Sequence, residues 1–156
     1  MRVSILFASI WITFCIQAAN QPPTIEHEPH DCTAERRRAR LCAEVSDDSG
    51  VGDVRLVFRV NGTRGYYWTP MSFDGSRYCA WLPAPIPKTR SIEYYVEAFD
   101  DAYESSRTRS FDLSVRDDCE MADQDVPVKS AIVGRASPSI AHEPPGFDPA
   151  TYEPMP

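Results

Sequence analysis

Apolar and polar residues alternate through the middle of the chain. "ARLCAEV" sets Ala39, Leu41, Ala43 and Val45 against Arg40, Cys42 and Glu44. "DVRLVFRV" sets Val54, Leu56, Phe58 and Val60 against Arg55, Val57 and Arg59. "YCAWL" at 78–82, "IEYYVEAF" at 92–99 and "SFDLSV" at 110–115 repeat the pattern. A period of two turns one side of a segment to a core and the other to water, as in a half-buried strand. "DDSG" at 47–50, "NG" at 61–62, "FDG" at 73–75 and Pro83, Pro85 and Pro87 separate the runs as turns. No stretch carries a helical period. With weaker segments near 23–29 and 65–71, the pattern predicts about seven strands in about 100 residues, which is an all-β, two-sheet sandwich.

The two ends read differently. Residues 1–19 hold one charge, Arg2, followed by an apolar run from Val3 to Ile16 and small residues at Ala18 and Ala19. That is the layout of a secretory signal peptide, cut after Ala19. Two other readings stay open: cleavage before Cys15, as in a lipoprotein, and a retained anchor. Phe14 is bulky for the first, and the run is short of the roughly 20 residues of a span for the second. Residues 120–156 hold seven of the 14 prolines and six acidic residues against Lys129 and Arg135. This tail reads as acidic and disordered or loosely extended, leaving 20–119 as the folded domain. The formal charge of the chain is −7, and nothing in its distribution points to nucleic acid.

"PPTIEHEP", "AEVSDDSGVGDVRLVFRVNG", "YYWTPM", "YCAWLPAPIP" and "IEYYVEAFDD" together resemble the immunoglobulin-like, fibronectin type III-like domains of exported bacterial proteins. Those domains open with Pro-Pro, an aliphatic residue and His-x-Pro, and carry a Tyr-Tyr-aliphatic-x-Ala strand followed by Asp. The resemblance covers residues 22–116. It implies a sandwich used as a spacer, adhesion part or accessory module, and it does not imply an activity. The cysteines are not part of the family pattern.

Four cysteines remain after the leader, and an even number in an exported chain favours disulfides. In the sandwich topology Cys32 and Cys119 lie at one pole, and Cys42 and Cys79 sit on neighbouring antiparallel strands with the same outward parity. The favoured pairing is 32–119 with 42–79. The alternatives are 32–42 with 79–119, and four free thiols.

Several clusters carry candidate chemistry. "IEHEPHDC" at 25–32 is rich in ligand atoms, but His27 and His30 diverge on a strand that Pro29 bends, so the segment reads as strand and bend. Asp47, Asp48, Asp100 and Asp101, with Asp53, Asp74 and Glu104, place carboxylates on turns at one pole. They are weak calcium candidates, because Asp also forms turns on its own account. Arg36, Arg37, Arg38, Arg64, Lys88 and Arg90 predict a basic opposite pole, a docking patch for an anionic partner or for the acidic tail. Trp68, Trp81 and Tyr95, with Tyr66 and Tyr67, are a candidate aromatic surface for sugars or proteins. "NGT" at 61–63 is a glycosylation sequon and, first, a hairpin turn.

The sequence carries no GxSxG, no HExxH and no glycine-rich phosphate loop. The expectation is a non-catalytic module without cofactor, secreted, periplasmic or at the cell surface. Its expected partner is a protein or a polyanionic glycan at the envelope. A carbohydrate-binding module and a calcium-dependent adhesion domain are the alternatives.

Overall fold

The computed structural model describes residues 20–120, 131–137 and 141–155. The leader reading falls on residues 1–19 and lies outside them. Twelve strands are described: β1 Thr24–Glu26, β2 Cys32–Thr33, β3 Ala39–Ser46, β4 Val51–Val60, β5 Tyr67–Pro70, β6 Ser72–Phe73, β7 Tyr78–Leu82, β8 Ser91–Asp100, β9 Ser105–Arg107, β10 Phe111–Val115, β11 Ala131–Arg135 and β12 Tyr152–Pro154. They form two sheets, β1-β3-β7-β6 and β12-β11-β5-β4-β8-β10-β2, with β9 also on β8. The protein is all-β, and among the described residues the single helical element is a 3₁₀ turn at Pro149–Thr151.

The alternation reaches its clearest form in β8. Ile92, Tyr94, Val96 and Ala98 are wholly buried, while the residues between them are half-buried. β8 pairs antiparallel with β4, setting Phe58 opposite Tyr94 and Leu56 opposite Val96. These side chains meet Leu41, Ala43, Ala80 and Leu82 from the four-stranded sheet. Each large apolar side chain buried there contributes about 1.5–3 kcal/mol relative to exposure. The turn after β4 needs positive φ, and Gly62 supplies it at 84°.

Strand β1 lies where the first run was expected, but the chain does not stay on that sheet. β1 pairs with β3, and then residues 27–31 cross to the other sheet, where β2 runs parallel to β10. Pro29, which has no amide to give a ladder, lies in the crossover.

The tail reading is corrected where the tail is described. β11 pairs antiparallel with β5 and parallel with β12. Val133, Phe147 and Tyr152 are buried, and Phe147 packs into the core against Phe58. Backbone bonds fix the segment: the Ile86 amide donates to the Gly146 carbonyl at 3.0 Å, and the Asp148 amide to the Ala84 carbonyl at 2.8 Å. The tail thus closes the end of the sandwich that β4, β7 and the start of β8 leave open. Apolar side chains spaced too widely to show a period supply the burial. Residues 121–130, 138–140 and 156 of the predicted tail lie outside the described residues.

Candidate functional site

The polar sides of β4, β5, β8 and β9 form one continuous outer surface. Arg55 on β4 lies 4.4 Å from the ring centre of Trp68 on β5 and 5.0 Å from that of Phe99 on β8. Its Nε also reaches the Asp53 carboxylate at 2.6 Å. Arg59 lies 4.4 Å over Tyr66 and pairs with Glu93 at 2.6 Å. The Tyr66 hydroxyl donates to the other oxygen of Glu93 at 2.9 Å. Tyr66 and Tyr95 meet edge to face at 5.6 Å, and Arg107 lies 5.7 Å from Tyr95. Val57, on this polar side, is nonetheless buried beneath its aromatic neighbours.

This pattern follows from register. β4 is flanked by β5 and β8, so its outward residues Arg55 and Val57 have a neighbour on each side: Val57 faces Trp68 and Tyr95. An arginine beside an aromatic ring gains a cation–π contact, and its fork still reaches a carboxylate. Burial pushes the Glu93 carboxyl up, but donors from Arg59, Tyr66 and Ser110 outweigh it and hold the group below its ordinary value. The Glu93 bond in turn raises Arg59. The surface is therefore charged, aromatic and held in place by its own contacts.

Of the predicted aromatic surface, the structure brings Trp68 and Tyr95 together and separates Trp81. Trp81 is on the opposite side of the sandwich, in a cleft of about 340 Å³ with Phe73, Pro70 and Ile132. Tyr67 is corrected from a stacking candidate to a core residue, 1% exposed, with its hydroxyl donating to the Ala141 and Glu143 carbonyls. Trp68 lies over Gly134 of β11, where any Cβ would come within 2.5 Å of the ring. Sequence reasoning passed over Arg55, Arg59, Arg107 and Phe99. For Arg55, Arg59 and Phe99 the signal was present in the outward positions of the alternating runs, whereas Arg107 lies on the three-residue β9, which carries no period.

The cysteines are bonded Cys32–Cys119 and Cys42–Cys79, the second pair directly opposite in the β3–β7 ladder. Cys79 is more covered than an outward residue on a solvent face, because the Asp74 turn folds over it: its sulfur lies 3.4 Å from the Asp74 carboxylate. Arg40 holds that carboxylate from the other side at 2.9 Å.

The basic residues gather at the pole where the tail docks. Arg36 donates its amide to the Pro85 carbonyl at 2.8 Å and Arg90 accepts from Val115, which ties the loops bearing Arg36–Arg38, Lys88 and Arg90 together. Arg64 lies in the β4–β5 turn at the same end. The tail segment that carries Glu143 and Asp148 is bonded to the loop at this pole, through the Gly146 carbonyl to Ile86 and the Asp148 amide to Ala84.

At the acidic pole the carboxylates serve turns. One Asp47 oxygen accepts from the Ser49 and Gly50 amides, and one Asp100 oxygen from the Ala102 and Glu104 amides at 2.8 and 2.7 Å. Asp100 is 2% exposed, and its other oxygen takes the Asn20 amide. Asp48 and Asp101 are exposed beside them, and Asp74 is drawn away to Arg40. Among the described residues no group of three or more His, Cys, Asp or Glu is placed to hold a metal ion, and no helix is long and apolar enough to cross a membrane. Asn61 of the sequon is exposed, with its side-chain amide on Ser91 and Asp112.

No protein-family model matches the chain, and no curated protein matches it. Solved structures similar to it include an engineered protein (TM-score 0.46, 15% identity, 63% of this chain and 21% of that one). They also include the SrpA adhesin of Streptococcus sanguinis (TM-score 0.44, 20% identity, 64% of this chain and 59% of that one). The chain spans about a fifth of the first and about three fifths of the second.

Proposed function

We propose that the chain is a non-catalytic binding module of immunoglobulin-like, fibronectin type III-like type, exported to the envelope or cell surface. Its partner is a protein that docks on the outer face of the eight-stranded sheet. The observation that carries this reading is the set Arg55, Arg59, Arg107, Tyr66, Trp68 and Tyr95 on one face. Arginine, tyrosine and tryptophan dominate the energetic centres of protein interfaces. Holding them in place before contact lowers the ordering cost of binding. The sequence leader and the two disulfides support export.

The test is capture from bacterial envelope extract with the immobilised protein and with an Arg59→Glu, Tyr95→Ala variant whose folding is checked by circular dichroism. A species retained by the first and lost by the second supports the reading. Equal recovery by both removes this face as the docking surface.

A carbohydrate-binding reading has support from Trp81, whose cleft also holds Phe73, 59% exposed. Trp68 favours it less, since Arg55 already covers the ring. Glycan-array binding lost in Trp81→Ala would favour this second reading. The calcium-dependent reading has the least support, because Asp47 and Asp100 use oxygens on backbone amides.

A further inference from the structure

His27 stands where the chain leaves one sheet for the other. Its Nδ1 is 2.7 Å from the Cys42 carbonyl oxygen of β3, which accepts and cannot donate. Nδ1 therefore carries the ring proton. Nε2, 3.0 Å from the Tyr94 hydroxyl of β8, is then an acceptor, and Tyr94 donates to it. The Tyr94 oxygen in turn accepts the backbone amide of His30. The ring also packs edge-on against Tyr94 at 5.6 Å and Phe111 at 5.2 Å. One imidazole thus ties residues 27–31 to both sheets, through a line of hydrogens that all point the same way.

A second proton breaks that line. Nε2 becomes a donor, and the Tyr94 hydroxyl must turn its hydrogen away from the ring to accept from it. Tyr94 is wholly buried, its other bonded partner, the His30 amide, is itself a donor, and Asp31 acts on it only through its charge, so the turned hydrogen loses its acceptor. We propose that His27 is a proton-operated latch whose protonation frees residues 27–31 and opens the edge of the sandwich. The opening is local, because β1 pairing holds the segment upstream and Cys32–Cys119 holds it downstream.

The surrounding charges set where the latch works. Glu26, Glu28, Asp31 and His30 come from its own segment, and Arg40 and Glu44 from β3. Arg77 comes from the turn before β7, and Arg116 and Glu120 follow β10. They line a groove of about 1040 Å³ along the crossover. Arg109 lies 5.1 Å over Phe111 on the far side. Burial and the neighbouring His30 oppose the imidazolium; the bond to the Cys42 carbonyl and the Glu28 carboxylate favour it. Burial is the largest influence, and the group lies below its ordinary 6.5, so the latch is closed at neutral pH and opens in mild acid.

The experiment is hydrogen exchange of the oxidised chain at about pH 7.5 and about pH 5, corrected for intrinsic rates, alongside an NMR titration of the His27 ring. Amides of 27–32 are expected to exchange about tenfold faster at the lower pH, with a midpoint at the His27 titration. Gln at 27 still donates to Cys42 but does not titrate, so His27→Gln is expected to abolish the acid response, and His30→Gln to retain it. Tyr94→Phe removes the hydroxyl that donates to the neutral ring and is expected to move the His27 midpoint upward. Exchange that ignores the His27 titration overturns the proposal. So does an acid response that survives His27→Gln. If that variant leaves the segment open at every pH, an unmoved midpoint in Tyr94→Phe overturns it.

Discussion

The ring of Phe147 meets the ring of Phe58 edge to face, with 5.2 Å between centres, so a residue from the C-terminal segment completes the core. Phe147 is 4% exposed and is held from behind by the bridge between Pro85 and Phe147. Its removal leaves a cavity at the end of the sandwich that β-strands cannot collapse to fill. Phe147→Ala is expected to cost about 3–5 kcal/mol of stability in urea unfolding. A change under about 1 kcal/mol would show that the segment is peripheral to the core.

The difference between β8 and β11 shows what the sequence made legible. β8 has ten residues with apolar ones at 92, 94, 96 and 98, and that period is visible without knowing any partner. β11 has five residues and β12 three, amid prolines, and β11 finds its place by pairing with β5, far away in sequence. The crossover after β1 was hidden for the same reason: two residues of β2 carry no period. On the outer face, alternation placed Arg55 on the wet side of its strand, while Trp68 stood in a weaker segment with no side assigned. Their contact required the β4–β5 register, which hydrophobic pattern does not specify residue by residue.

The two disulfides close loops of different length, with separations of 87 and 37 residues. In the chain-entropy account, the longer stabilises by about 4.5 kcal/mol and the shorter by about 4. Replacing Cys32 and Cys119 by Ala is therefore expected to lower unfolding stability slightly more than replacing Cys42 and Cys79. Cys79 complicates the shorter pair, since Asp74 and Arg40 cover it and rearrange with it. A much larger loss for 42–79, read from urea midpoints at equal slope, would show that this turn cluster outweighs loop closure.

Gly134 lies opposite Trp68 in the β5–β11 ladder, and its backbone is the floor on which the indole rests. A Cβ there would lie 2.5 Å from Cε2 and 2.7 Å from Nε1 of the ring, too close for either to stay. Gly134 needs no positive φ, so Gly134→Ala tests space alone. The ring must lift, and Arg55 with it. The expected cost is about 1–3 kcal/mol, with a red shift of Trp68 emission measured in a Trp11→Phe, Trp81→Phe background. Unchanged emission and stability would mean that β11 shifts instead, and then Trp68 would not be fixed by this contact.

Asp74 gives the fold a dependence on acid. The Arg77 amide, then the Ser76 amide and hydroxyl, bond its carboxylate, and Arg40 adds a smaller attraction; together they lower it from 3.8 to about 2. A carboxylate depressed in the folded state contributes its stabilisation in full above its unfolded value, near 3.8, and loses it as pH falls toward about 2. The wild-type chain is thus expected to lose stability through that window. Asp74→Asn keeps an acceptor oxygen for the turn but has no charge to lose. Its stability should lie below wild type at neutral pH and converge with it as the pH drops below the window. Parallel curves for the two proteins across acid titrations followed by circular dichroism would place the acid sensitivity on other carboxylates, with Glu93 and its Arg59 partner first among them.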